Sequence, residues 1–203
     1  MKHTSTRALY AYWDERRGQR PGPEREDIDP IAIRHVLGDT FMLSADFAGE
    51  TRFRLAGTRV CALFCRELKG EAFTSLWAEA SRARVANLIE MLTRQSIGTV
   101  ASLTGRTADG ARVHLEMLLL PLAYRDRART RALGALSPIE TPYWIGESPL
   151  GELELCEVEP VGADGAVRLT AEQSPAAMTS QMRHGFVVYR GGRDTPPRSE
   201  RTG

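Results

Sequence analysis

LAGTRVCALFCRELKGEAFTSL, residues 55–76, is the stretch whose reading decides the fold. Just before it, Thr51 to Leu55 alternates polar and apolar side chains with Phe53 and Leu55 on one face, the period-two pattern of a half-buried strand. Gly57 then breaks the strand, and Thr58 is placed to cap a helix in which Val60, Leu63 and Phe64 recur at helical spacing. A second short turn through Arg66, Glu67 and Leu68 ends at Gly70. Phe73 and Leu76 follow in a segment too broken for one long helix, and side chains so placed are suited to closing over a cavity.

The segments on either side read as supports. Downstream, residues 78–95 carry the longest helical pattern in the chain, with Val85, Leu88, Ile89 and Leu92 on one face. That apolar stripe needs a sheet to cover. Strands are predicted at 98–106, 111–122 and 130–136, and the Asp109-Gly110 pair between the first two marks a tight hairpin. A charged loop around 124–131 joins the last two. Upstream, Phe41 to Leu43 pairs in a hairpin with Thr51 to Leu55, and Asp29-Pro30 starts a predicted helix of about two turns with Ile31, Ile33, Val36 and Leu37 on its buried side. The expected fold is therefore α+β, a five-stranded antiparallel sheet with helices on one face. It carries an N-terminal helical extension and an irregular C-terminal tail.

Composition bounds the partners. The chain has 203 residues, 42% hydrophobic and 26% charged, with a net charge of +1, so no global electrostatic pull toward nucleic acid or membrane is expected. The apolar run Met117 to Leu122 is far too short to span a bilayer, and the charged N-terminus does not read as a signal peptide, so membrane insertion is not expected and a cytoplasmic protein is the default. Three cysteines do not make a disulfide framework. Four organisational units are expected: 1–26, an N-terminal helix and Pro-rich arm; 27–140, the core; 141–160, an aromatic loop and an extra strand; and 161–203, a largely flexible tail.

At this point a resemblance enters. The order strand, strand, short helices, long helix, three strands resembles a PAS domain. More narrowly, Tyr12-Trp13-Asp14, Arg20-Pro21, Asp27-Ile28-Asp29-Pro30, Phe53-Arg54-Leu55-Ala56-Gly57-Thr58 and Leu133-Gly134-Ala135-Leu136-Ser137-Pro138 are similar to the alphaproteobacterial PAS-type proteins of the PAS_5 family, over approximately residues 9–155. The resemblance implies a small sensory or protein-interaction domain with a central cavity, and names no ligand.

Candidate ligand contacts are Phe53, Leu55, Val60, Phe64, Phe73, Trp77, Leu88, Leu92, Leu115 and Met117, whose alternative role is plain core. Arg54, with Arg52 and Arg59, offers a possible anion-binding trio or a solvated surface. Cys61 and Cys65 share a helix face at four-residue spacing, but two ligands are not a metal site, and buried free cysteine behaves as a small hydrophobe. The segment at Cys65 lacks the Asn and Gln that flank the reactive cysteine of flavin-binding PAS domains, and no histidine is placed as a haem ligand, so no cofactor is expected. No Gly-x-Ser-x-Gly, His-Glu-x-x-His or phosphate-cradling motif appears, and a catalytic role is not expected.

The predicted function is a non-catalytic PAS-type sensor or adaptor in bacterial signalling, binding a small molecule, a signalling-protein partner, or both. The alternative is a small-molecule enzyme on a cavity-forming α+β fold, which requires polar groups clustered about one pocket. Leu9, Tyr12 and Trp13 form an apolar stripe on the N-terminal helix, expected either to join two copies in a homodimer or to cap the chain's own sheet.

Overall fold

The computed structural model describes residues 1–46, 48–123 and 131–161, with the backbone also of 180–183 and 186–189. Residues 1–163 form one compact unit. Its elements run α1 (Thr4–Arg17), β1 (Thr40–Ala45), β2 (Thr51–Ala56), α2 (Thr58–Leu63), α3 (Glu79–Glu90), β3 (Gly98–Arg106), β4 (Arg112–Pro121), β5 (Arg131–Pro138) and β6 (Glu154–Val161). The strands build one sheet of six, ordered β2-β1-β5-β4-β3-β6, with every neighbouring pair antiparallel. The PAS-like α+β architecture is as predicted. The sixth strand is the alternating acidic segment beyond residue 150, which adds to the edge at β3.

The sheet has two covered faces. On one, α2, α3 and the turn Phe73–Leu76 pack over Leu103, Leu115, Met117, Leu119 and Leu136. On the other, α1 and the arm behind it pack over Val100, Leu118, Leu120, Leu133 and Ala135. β4 therefore buries side chains in both directions. Its continuous apolar run Met117 to Leu120 is the composition of a strand covered on both faces.

Several elements differ from expectation for local reasons. The helix predicted at 30–37 is absent; Arg34 donates to the Ile31 carbonyl and Val36 to that of Ile33, tight turns closed three residues apart, followed by a 3-10 turn at Leu37–Asp39. Ile33 and Val36 are still buried, whereas Ile31 is exposed. Tight turns bury these side chains without the cost of nucleating an α-helix. Helix α1 is capped by His3, whose Nδ1 accepts the Ser5 amide at 3.1 Å. At the β3–β4 turn only Gly110 has positive φ, 89°, and Thr107 and Ala111 close a three-residue connection rather than a two-residue one.

Gly57 has a steric task. A Cβ there would sit 2.1 Å from the Leu37 carbonyl oxygen, because the strand-to-helix corner lies against the Leu37–Gly38 backbone. Gly134 serves likewise, facing the Phe41 ring at 2.3 Å from where its Cβ would lie. Both motif glycines thus mark close packing of backbone against the core.

The second unit includes a two-stranded antiparallel hairpin, β7 (Ser180–Arg183) with β8 (Phe186–Tyr189). The charged loop at 124–130 and most of the predicted tail at 161–203, including 191–203, lie outside the described residues.

Candidate functional site

The face of the sheet under α3 carries a chain of aromatic rings. Phe41, Phe53, Phe73 and Trp77 meet at centroid separations of 5.6 to 6.2 Å, mixing edge-to-face and stacked contacts. Phe53 arrives from β2, Phe73 from the 3-10 turn after Gly70, and Trp77 from the extended residue that turns into α3. Val60 and Phe64 close the cluster from the α2 side, Leu88 and Leu92 from α3 and the wider π-type turn after it, and Leu115 and Met117 from β4. Nine of the predicted contacts, all but Leu55 and Arg54, thus share one buried cluster.

Within this apolar interior the Trp77 indole nitrogen is buried and donates to nothing among the described residues. A buried N–H without an acceptor forfeits about 1–3 kcal/mol. Other groups near it are satisfied by backbone pairing. Leu153 donates to the Leu76 carbonyl at 2.8 Å and Ala78 to that of Leu153 at 3.0 Å, fixing the segment on either side of Trp77. The segment expected to close over a cavity is also stitched elsewhere: along the outer edge of β2 Gly70 donates to the Phe53 carbonyl and Phe53 to that of Glu71, and Leu150 donates to Leu63.

Leu55 departs from expectation. Met42 pairs with Leu55 and Leu43 with Phe53, so Arg54 is an extra residue in β2, a β-bulge. One inserted residue reverses the facing of everything beyond it. Leu55 therefore shares the side of Met42 rather than that of Phe53 and is 44% exposed. Arg54 is likewise exposed and lines a surface cleft of about 530 Å³ beside β1 and β2.

The arginine trio is split by its partners. Arg52 bonds Asp46, Glu50 and the Gly70 carbonyl. Arg59 grips both carboxylate oxygens of Asp39, at 2.6 and 2.7 Å, and this pairing holds its guanidinium above its usual pKa. Arg54 pairs with no acid among the described residues.

The two cysteines do not share a helix face. Helix α2 ends at Leu63, and Cys65 lies beyond it with a left-handed φ of 49° and its side chain exposed. Cys61 is buried, and burial, then the neighbouring Glu67 carboxylate, pushes its thiol pKa up. Among the described residues no three His, Cys, Asp or Glu side chains gather as metal ligands would. His114 of β4 is exposed, with Nδ1 3.4 Å from Thr104 Oγ1.

On the opposite face, Leu9 and Trp13 are covered by the chain's own sheet. Trp13 Nε1 donates to the Pro121 carbonyl at 2.8 Å, and Arg17 lies over its ring. Tyr12 ties the arm to α1, accepting from the Asp29 amide at 2.7 Å and donating to the Asp27 carbonyl at 3.2 Å. The Pro-rich arm is packed too, since Pro23 accepts from Ala123.

Two buried carboxylates not singled out in the sequence fix the start of α1. Glu116 of β4 accepts from the amides of Lys2 and His3, at 2.6 and 2.9 Å, and from the Thr6 hydroxyl. Asp39 accepts from Ser5 Oγ at 2.5 Å while holding Arg59 of α2. Asp39 thereby joins a helix on each face of the sheet. Sequence separations of 20 to 114 residues between these partners explain why no local pattern announced them.

A family model described as PAS_5, PAS domain, matches residues 1–137, more than half of the chain. Among solved structures, the PAS domain of a protein from Colwellia psychrerythraea is similar at 15% identity, with a TM-score of 0.38, over 54% of this chain and 97% of that one. None of the curated proteins matches. No helix among the described residues is long and apolar enough to cross a membrane.

Proposed function

The chain belongs to the PAS_5 family of PAS domains, and from that premise we propose that it is a non-catalytic sensory protein of bacterial signalling whose small-molecule ligand is taken up beside Trp77. The observation that carries the ligand reading is the buried Trp77 indole N–H with no acceptor. A ligand carrying a carbonyl or hydroxyl oxygen satisfies it, while Phe64, Phe73 and Leu88 supply apolar contact. Room for such a ligand comes from displacement of the Phe73 and Trp77 rings, which meet at 5.6 Å. Because α2 is tied through Arg59 and Asp39 to Ser5 of α1, a shift of α2 on the ligand side is felt on the opposite face.

Output passes to a partner, either a signalling protein or a second copy of the chain. The exposed surface serves that contact, and Tyr143, 95% exposed beside buried Trp144, is its most prominent aromatic. A purely surface-binding adaptor is the second reading, and the close ring packing of the core favours it.

Native mass spectrometry of the purified protein and of Trp77→Phe separates these. The sensor reading expects a retained small molecule whose occupancy falls in the variant, which lacks the N–H. A bare mass for both proteins, with no ligand-dependent hydrogen-exchange protection from Cys61 to Trp77, leaves the adaptor reading standing and the ligand reading refuted.

A further inference from the structure

We propose that the cleft beside the β1–β2 edge is a binding site for a small amphipathic carboxylate, separate from the interior cluster around Trp77. The cleft encloses about 530 Å³, a volume within the range of small-molecule sites. Its apolar surface comes from Met42, half-buried, and from Leu55, which the bulge turns outward to 44% exposure. Ser44 also lines it, its hydroxyl donating to the Ala45 carbonyl at 3.2 Å.

The charges around it are unequally spent. Asp46, the acid lining the cleft, accepts from the Ala48 and Glu50 amides and from Arg52, so its oxygens are occupied. Arg52 is in turn consumed by Asp46, Glu50 and the Gly70 carbonyl. Arg54 and Arg25 also line the cleft, and neither pairs with an acid among the described residues. The nearby Asp27 is taken by Arg20. Two guanidinium groups thus border an apolar floor without an internal counter-ion, and a carboxylate with a short hydrocarbon body matches both features.

The bulge gives this arrangement its physical origin. In a regular β2 strand, Leu55 would face inward with Phe53; the extra residue at Arg54 sends Leu55 to the cleft side, where Arg54 also lines the wall. Bulges re-aim side chains in this way where a strand serves a site.

The probe is octanoate, titrated into isotope-labelled full-length protein while backbone amide shifts are followed, with octylammonium as the control of equal chain and opposite charge. Saturable shifts are expected at Met42 to Ala45 and Arg52 to Leu55 with octanoate and not with octylammonium. Arg54→Gln and Arg25→Gln, both at exposed or half-exposed positions and so expected to fold, should each weaken octanoate by about tenfold or more. Equal shifts from both probes, unchanged affinity in Arg54→Gln, or no saturation at millimolar octanoate would overturn the proposal. Shifts centred instead on Trp77, Leu115 and Met117 also overturn it, while supporting uptake in the interior.

Discussion

Glu116→Gln is the substitution that most directly tests how α1 is held to the sheet. The wild-type carboxylate is 3% exposed and accepts three bonds, from the Lys2 and His3 amides and the Thr6 hydroxyl. Glutamine keeps the shape but offers one acceptor oxygen, so its own NH₂ group meets a donor and the part-buried amide of Lys2 or His3 loses its acceptor. Losing charge assistance and stranding a donor together cost about 3 kcal/mol. Urea denaturation at neutral pH measures the loss, and hydrogen exchange across Thr4–Arg17 shows whether it is taken locally by α1 or by the whole unit.

The same variant carries a pH signature. Burial alone would raise the Glu116 pKa, but the Thr6 hydroxyl and the His3 and Lys2 amides outweigh it and hold the value below the ordinary 4.5. The unfolded chain therefore takes up this proton first as the solution is acidified. The stabilisation is complete above the ordinary glutamate range and is lost as pH falls from there through the lower folded value. Asp27, Asp46 and Asp109 are also lowered and remain in the variant, so the quantity to follow is the difference between the two proteins. A stability change under about 0.5 kcal/mol, or a difference that does not shrink on acidification, would refute the assignment of Glu116 as the anchor.

Other outcomes follow from single contacts. Trp13→Ala removes a 2% exposed side chain and its bond to Pro121, and should lower unfolding stability by about 3–5 kcal/mol; a loss confined to oligomer dissociation would mean the stripe serves a second copy instead. Gly57→Ala forces a Cβ against the Leu37 carbonyl and is expected to cost about 1–3 kcal/mol or more by thermal denaturation, whereas Gly49→Ala, open on all sides but at positive φ, should cost only about 1. With iodoacetamide in native buffer, Cys65 and Cys156 should react first and Cys61 last, because it is buried and its thiol is held protonated; peptide mapping that finds Cys61 labelled fastest contradicts that burial.

Much of the sheet was legible because its signals are short-range. Alternation at Thr51 to Leu55, the Asp-Gly hairpin and the helical period from Val85 to Leu92 each lie within a few residues, and each names its own element. The ring cluster was legible for the same reason: Phe53, Phe73 and Trp77 flank a broken segment beside a long helix. The acidic strand beyond residue 150 was visible as alternation, although its place at the sheet edge was not.

What the tertiary structure decided is which surface meets which. By its pattern the Leu9–Trp13 stripe fits a second copy or the chain's own sheet, and only the packed fold shows Leu9 and Trp13 lying against β4 and β5. The bulge at Arg54 has no sequence marker, since the extra residue is defined only by what β1 places opposite, and yet it moves Leu55 from the core to a cleft. Asp39, just before β1, and Glu116, within β4, look like ordinary surface acids until the N-terminal residues, 34 and more than 100 positions away, arrive as their donors. Periodicity is a property of neighbours along the chain and is readable there; burial, facing and charge pairing are properties of neighbours in space, and they exist only once the sheet has brought the two ends of this unit together.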